Sequence, residues 1–212
     1  MNAKIKIGFL GGGNMSSAVI GGLVAKTTGA TPSATASKLF SATQIFVHDR
    51  NDEKNDALVD AFGITACASP EHLIKTVDVL IIGVKPQGFK AAVHASRQII
   101  SERKPLIISL AAGIRTRSIQ AWVNAPLAIV RAMPNTPALI GEGATGLFAT
   151  STTSSDQKQL AGSIMSTVGL SIWVDSEGDI DTVTALSASG PAYFMLLLES
   201  MIAAAVKAGL EA

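Results

Sequence analysis

The chain has 212 residues, 48% of them hydrophobic and 16% charged, which is enough apolar material for one large core or two smaller ones. Its 17 Lys and Arg against 16 Asp and Glu give a formal net charge of +1, so no positive field exists to draw a polyanion and no nucleic acid is expected as a partner. A membrane span needs about 20 apolar residues in a row; the two best runs, VDVLIIGV and YFMLLLESMIAAAV, are respectively too short and broken by Glu199 and Ser200, so no membrane is expected either.

The opening MNAKIKIGFL leads straight into a predicted strand, Ile5 to Leu10, with no small-residue cleavage site, which makes the cytoplasm the expected location. The strand breaks into three glycines and a predicted helix, Met15 to Lys26. Gly11, Gly13 and Ser16 stand at the G-x-G-x-x-G spacing, with serine in the third place. Gly11 lets the chain turn tightly out of the strand, Gly13 removes a side chain that would collide with a pyrophosphate, and the third position needs a small residue for helix-to-strand packing. The helix then turns its free N–H groups and positive dipole end toward the phosphates. Leu10, Gly11, Gly12, Gly13, Asn14 and Met15 are therefore candidate cofactor contacts. No Gly-Lys-Ser/Thr follows, which excludes a triphosphate P-loop and points to NAD(P) or FAD. Asn14-Met15-Ser16 also fits a glycosylation acceptor, discounted because it lies in the phosphate loop.

From Thr27 to Thr43 a Thr/Ser/Ala-rich stretch with Gly29 and Pro32 reads as an irregular surface loop. The next predicted strand, Gln44 to His48, ends in Asp49 and Arg50. An acid accepts from a free ribose 2′-hydroxyl whereas an arginine suits a 2′-phosphate, so the pair leaves both NADH and NADPH open. Asp49 could equally cap the following helix, Glu53 to Phe62. Cys67 has no disulfide partner and no metal-ligand spacing to His48, His72 or His94; burial at a strand end is expected.

Further strands are predicted at Val79 to Val84, Leu106 to Leu110, Ala128 to Ala132, Thr145 to Ala149 and Ser171 to Val174. Helices are predicted at Gly88 to Ser101, Ser118 to Val123 and Asp156 to Val168, the last capped by Ser155. Ile- and Val-rich runs alternating with amphipathic stretches describe strands buried between two helix layers, a mostly parallel Rossmann-type α/β sheet spanning residues 1–176. After Val174, DSEGDID is a polar helix start. From Ala192 to Leu210 the chain is then apolar nearly all round, with only Glu199, either a buried hydrogen-bonding partner or an exposed edge, and Lys207 charged. Such a helix must be enclosed by others, so residues 177–212 read as the start of a second, helical domain, covered either by a second subunit or by a further segment of chain.

Three stretches add chemistry. In GVKPQ, Lys85 ends a strand facing the crevice where open α/β sheets bind ligands, and Pro86 fixes the turn. In ISLAAGI, Ala111, Ala112 and Gly113 are too small to obstruct a ring, or simply pack tightly. In RAMPNTPALIGEGATG, Pro134 and Pro137 each hold φ near about −65°. Asn135 and Thr136 then sit in a stiff loop, able to position a small substrate or to form a ligand-free Asx or Ser/Thr turn.

With IGFLGGGNM ahead of them and SASGPAYFMLLLESM behind, these stretches make the chain resemble pyrroline-5-carboxylate reductase from Ile7 to the C-terminus. The resemblance implies NADPH (or NADH) as cofactor, with Val84, Lys85 and Pro86 along it. It implies Met133, Asn135 and Thr136 at the substrate, and a homodimer or higher homo-oligomer built through the C-terminal helices, with residues 177–212 as the first part of an all-helical dimerisation domain. The reaction implied is hydride transfer to the imine carbon of a cyclic imino acid, giving L-proline in the last step of proline biosynthesis. Protonation of the ring nitrogen makes that carbon a good hydride acceptor, so neither a paired acid and base nor a metal is required, and no G-x-S-x-G or H-E-x-x-H occurs. Pro70 stands where the family usually has an asparagine at the cofactor ribose. The family's further helices and Gly-Gly-Thr-Thr stretch do not follow Ala212, so the 212 residues are expected to bind dinucleotide but to turn over poorly. A related imine or β-hydroxyacid reductase and a non-catalytic dinucleotide-binding fragment stand as the other readings.

Overall fold

A computed structural model of the chain describes residues 5–24 and 40–211. Most of the predicted Thr27 to Thr43 loop lies outside the described residues. Short apolar runs form β1 (Ile7–Leu10), β2 (Ile45–His48), β3 (Thr65–Ala66), β4 (Val79–Ile82), β5 (Leu106–Ser109), β6 (Ile129–Met133), β7 (Gly143–Ala149) and β8 (Gly169–Trp173). They make one sheet in the order β3-β2-β1-β4-β5-β6-β7-β8. Pairing is parallel from β3 to β6; β7 then runs antiparallel to β6, and β8 parallel to β7.

The side-chain period of two splits each central strand between two cores. On one face Phe9, Val47, Ile81 and Ile108 pack against Val19, Ile20 and Leu23 of α1 (Asn14–Val24), Leu58 of α2 (Asp52–Phe62) and Ile164 of α7 (Ser155–Met165). On the other, Leu80, Ile82, Ile107 and Ile129 meet Leu73 and Ile74 of α3 (Pro70–Thr76), Phe89 and Val93 of α4 (Pro86–Ala95), Ile100 of α5 (Arg97–Arg103) and Ile119 of α6 (Thr116–Val123). These are the two helix layers expected of a mostly parallel sheet.

Several details depart from expectation. The helix predicted from Gly88 to Ser101 is two, because Ser96 leaves helical geometry at φ −101°, ψ 9°. The cap of α7 is Ser154 rather than Ser155. Its hydroxyl accepts the Gln157 N–H at 3.2 Å while the Gln157 side chain accepts the Ser154 N–H at 3.0 Å, a reciprocal capping box. Helix α3 and strand β3 had no counterpart in the sequence reading; Ser69 caps α3 and Pro70 takes its first position, where a missing N–H costs nothing. Cys67 is buried just past β3.

At the C-terminus α8 (Asp179–Val183) passes through a π-helical turn, Thr184–Ala188, into α9 (Gly190–Lys207). Phe194, Leu196, Leu198 and Ile202 of α9 are each more than half exposed, so the helix expected to be enclosed stands open in the single chain. Leu170 and Ile172 of β8 are exposed as well. The helical run Asp179–Lys207 is long and apolar enough to cross a membrane by length and composition.

Candidate functional site

The strand register assembles the site. His48, Leu10, Ile82, Ser109 and Arg131 stand opposite one another in one row across five neighbouring strands. The segments that follow them, carrying Gly11 to Met15, Asp49 and Arg50, Val84 to Pro86, Ala111 and Ala112, and Met133 to Thr136, therefore leave the same edge of the sheet. Between β1 and its two neighbours the chain order reverses, which is where open α/β sheets form their ligand crevice.

Gly11 adopts φ +100° and donates its N–H to the His48 carbonyl at 2.8 Å. A Cβ there would lie 2.9 Å from the Val84 backbone nitrogen, so turn and close approach both demand glycine. At Gly13 the situation is opposite: a Cβ would meet no protein atom within 4 Å. The bare face of Gly13 opens onto the start of α1, whose first N–H groups have no intrahelical acceptor. Ser16 is fully buried and its hydroxyl lies against Gly83, where any Cβ would overlap it. Diphosphate fits this cradle by the absence of side chains and by helix-end polarity.

Asp49 does not cap α2; Asn51 does, accepting the Glu53 N–H at 2.9 Å. The Asp49 carboxylate instead accepts the Gly12 N–H at 2.8 Å and the Asn51 N–H at 3.0 Å. Burial alone would raise its pKa, but the Asn51 and Gly12 amides, with Lys54 and His48 nearby, outweigh it and hold the carboxyl below its usual range. Asn55, buried on α2, grips the Asp49 backbone twice, accepting its N–H at 2.8 Å and donating to its carbonyl at 2.9 Å. Asp49 thus braces the glycine loop, and Arg50 beside it is exposed.

Lys85 is exposed at the N-cap position of α4 with Pro86 beginning the helix, while Val84 is half-buried. Ala111 is buried and Ala112 half-buried. Asn135 makes no side-chain cap bond to the 3-10 turn Thr136–Ile140, so its side chain forms no local Asx turn. Its Oδ1 accepts the Ala144 N–H at 2.9 Å and its Nδ2 donates to Ser187 Oγ at 3.3 Å. Thr136 remains exposed and Met133 half-buried.

The sequence reading missed a polar cluster below these loops. Arg131, 2% exposed, donates from Nη1 to Glu177 Oε1 at 3.2 Å. Glu177 also accepts the Thr116 N–H at 2.6 Å and the Thr116 hydroxyl at 3.0 Å, and Arg115 pairs with Asp181 at 3.2 Å. The acids of DSEGDID were its one visible trace. Among the described residues no group of three or more His, Cys, Asp or Glu could hold a metal ion.

Comparison with known proteins fits this geometry. A family model described as NADP oxidoreductase coenzyme F420-dependent matches residues 6–113, and one described as pyrroline-5-carboxylate reductase dimerisation matches residues 177–212. The pyrroline-5-carboxylate reductase of Pseudomonas aeruginosa is 40% identical over 206 residues, 97% of this chain and 71% of the relative. That of Arabidopsis thaliana is 33% identical, over 98% of this chain and 70% of the relative. Among solved structures, a pyrroline-5-carboxylate reductase from Coxiella burnetii superposes with a TM-score of 0.84 at 40% identity, over 98% of this chain and 72% of the other. The Plasmodium falciparum pyrroline carboxylate reductase with NADP bound gives 0.79 at 28% identity, over 98% and 71%. A 3-hydroxyisobutyrate dehydrogenase from Mycobacterium tuberculosis, at 0.61 and 16% identity over 98% and 67%, shares the fold alone.

Proposed function

This chain belongs to the pyrroline-5-carboxylate reductase family, and from that premise we propose that it reduces 1-pyrroline-5-carboxylate to L-proline with NADPH, as the last step of proline biosynthesis in the cytoplasm. The observation that carries the proposal is the register, which sets the glycine loop, the Val84-Lys85-Pro86 turn and the Met133 to Thr136 loop along one sheet edge. In this reading Leu10 to Met15 and the first N–H groups of α1 hold the diphosphate. Arg50 meets the ribose 2′-phosphate, since the Asp49 carboxylate is already engaged by two backbone amides. Val84, Lys85 and Pro86 line the middle of the cofactor, and the small Ala111 and Ala112 leave room for a ring.

NADPH, when bound, supplies the hydride that the protonated imine accepts. The chain's own contribution is position. Asn135, tied at both ends of its amide, stiffens the loop and leaves Thr136 free to meet the imino acid, with Met133 bordering it. We divide the chain into a dinucleotide-binding domain, residues 1–176, and a helical dimerisation segment, residues 177–212. The open apolar surface of α9 is then a homodimer surface, which accounts for its composition without a membrane.

The test is to supply purified protein with NADPH and 1-pyrroline-5-carboxylate, following loss of reduced nicotinamide and formation of proline by mass. Proline formed in step with NADPH consumed supports the proposal. Oxidation of 3-hydroxy acids with NADP, without imine reduction, overturns it.

A further inference from the structure

The Arg131 cluster has no assigned part in the binding or the hydride transfer proposed above, yet it lies at the base of the loops proposed to flank the nicotinamide. Arg131 ends the register row that begins at His48, two residues before Met133. Burying a guanidinium is costly, and an apolar side chain of similar volume in such a place is often no less stable. Stability alone is therefore a weak reason for a charge here.

The connections suggest another reason. The Glu177 carboxylate joins three segments at once: its own stretch leading into α8, the first residue of α6 through the Thr116 N–H and hydroxyl, and β6 through Arg131. Helix α6 follows the loop that carries Ala111 and Ala112, while β6 runs into Met133 to Thr136. Farther along the same helical arm, Ser187 accepts from Asn135. The arm is thus pinned to both loops. The other terminal guanidinium nitrogen, Arg131 Nη2, makes no hydrogen bond among the described residues and lies 3.9 Å from Asp181 Oδ1. An advance of α8 of about 1 Å would close that gap to bonding distance, so the joint is sensitive to where α8 sits.

We propose that Arg131 and Glu177 are positioning residues: their buried pair transmits the placement of the α8 and α9 arm to the loops at 111–113 and 133–136, and so sets how firmly the nicotinamide end of the cofactor is held. The inference rests on the dinucleotide reading above. It separates two halves of one ligand, because the adenosine end lies across the sheet at Arg50, where the pair has no contact.

Calorimetric titration of the chain and of Arg131→Met, Glu177→Gln and Thr116→Val with NADPH and with 2′,5′-ADP, which lacks the nicotinamide, tests it. For each variant NADPH affinity falls, by about tenfold for the first two, while 2′,5′-ADP affinity is unchanged and the fluorescence of bound reduced nicotinamide shifts. Thr116→Val leaves no buried charge unpaired and so reports even if Arg131→Met does not fold. Equal weakening of both ligands, or a lowered melting temperature with both affinities intact, overturns the positioning role. Failure of the parent chain to bind either ligand overturns the dinucleotide reading itself.

Discussion

Replacing Gly13 by valine should leave the protein folded and strip it of its dinucleotide, whereas replacing Gly11 by alanine should do its damage before any ligand is added. At Gly11 the backbone sits at φ +100°, and an added Cβ would stand 2.9 Å from the Val84 nitrogen. A non-glycine residue in so sparsely populated a region costs about 1–3 kcal/mol, and for a chain of this size each kcal/mol lowers the melting temperature by about 2–4 °C. Gly11→Ala should therefore melt roughly 2–12 °C below the parent. At Gly13 a Cβ meets nothing within 4 Å, so the only expense of valine is a poorer residue ahead of α1, about 1 kcal/mol. NADPH at a hundred times its dissociation constant should stabilise the parent by about 2.7 kcal/mol, a rise of about 5–11 °C, and Gly13→Val should show none of it. Thermal melts with and without NADPH, with calorimetric titration, read both effects. A Gly13→Val protein with the full ligand-induced rise, or a Gly11→Ala protein that melts with the parent, would refute the division of labour between the two glycines.

Arg50→Ala should weaken NADPH by about tenfold through loss of a charge-assisted contact while leaving NADH unchanged; equal loss for both would remove Arg50 from the 2′-phosphate. The Asp49 carboxyl is held below its usual range in the folded chain, so its stabilising contribution is complete above the unfolded value of about 3.9 and fades as pH falls through the lower folded one. Asp49→Asn should consequently be less stable than the parent at neutral pH, the gap narrowing below about pH 4 in urea melts. Burial pushes the Cys67 thiol up, so disulfide reagents should label it slowly in the native protein and rapidly in urea. If α9 forms the proposed homodimer surface, light scattering should find the parent dimeric and Leu197→Glu, on the exposed face of that helix, monomeric.

What could be read ahead of the structure was governed by local pattern. The strands carry their own hydrophobic runs, so β1, β2, β4, β5 and β6 were all anticipated within two residues at either end, and with them the edge from which the site loops leave. The β3 strand is two exposed residues long and α3 only seven, too short for periodicity to register. Serine 154 and serine 155 are equally good caps by type; only the reach of Gln157 back to Ser154 decides between them. Asp49 shows the limit most plainly. Its residue type suggested a ribose contact or a cap, but its partner, the Gly12 amide, is set by how β1 and β2 pair, which no local window contains. Arg131 and Glu177 are likewise neighbours only through the fold. In a window around Arg131 an isolated charge inside a strand gives no hint that a carboxylate will meet it.

The row of residues from His48 to Arg131 crosses four strand spacings, about 19 Å at the usual interstrand distance. Arg50 and Thr136 therefore sit at opposite ends of a crevice, well beyond the range of about 7–10 Å within which substitutions interfere with one another. Coenzyme preference and substrate choice should then behave as two independent dials: a loop exchanged at one end multiplies with a loop exchanged at the other. A chimaera that swaps both, on an untouched sheet, should combine the two selectivities of its parents.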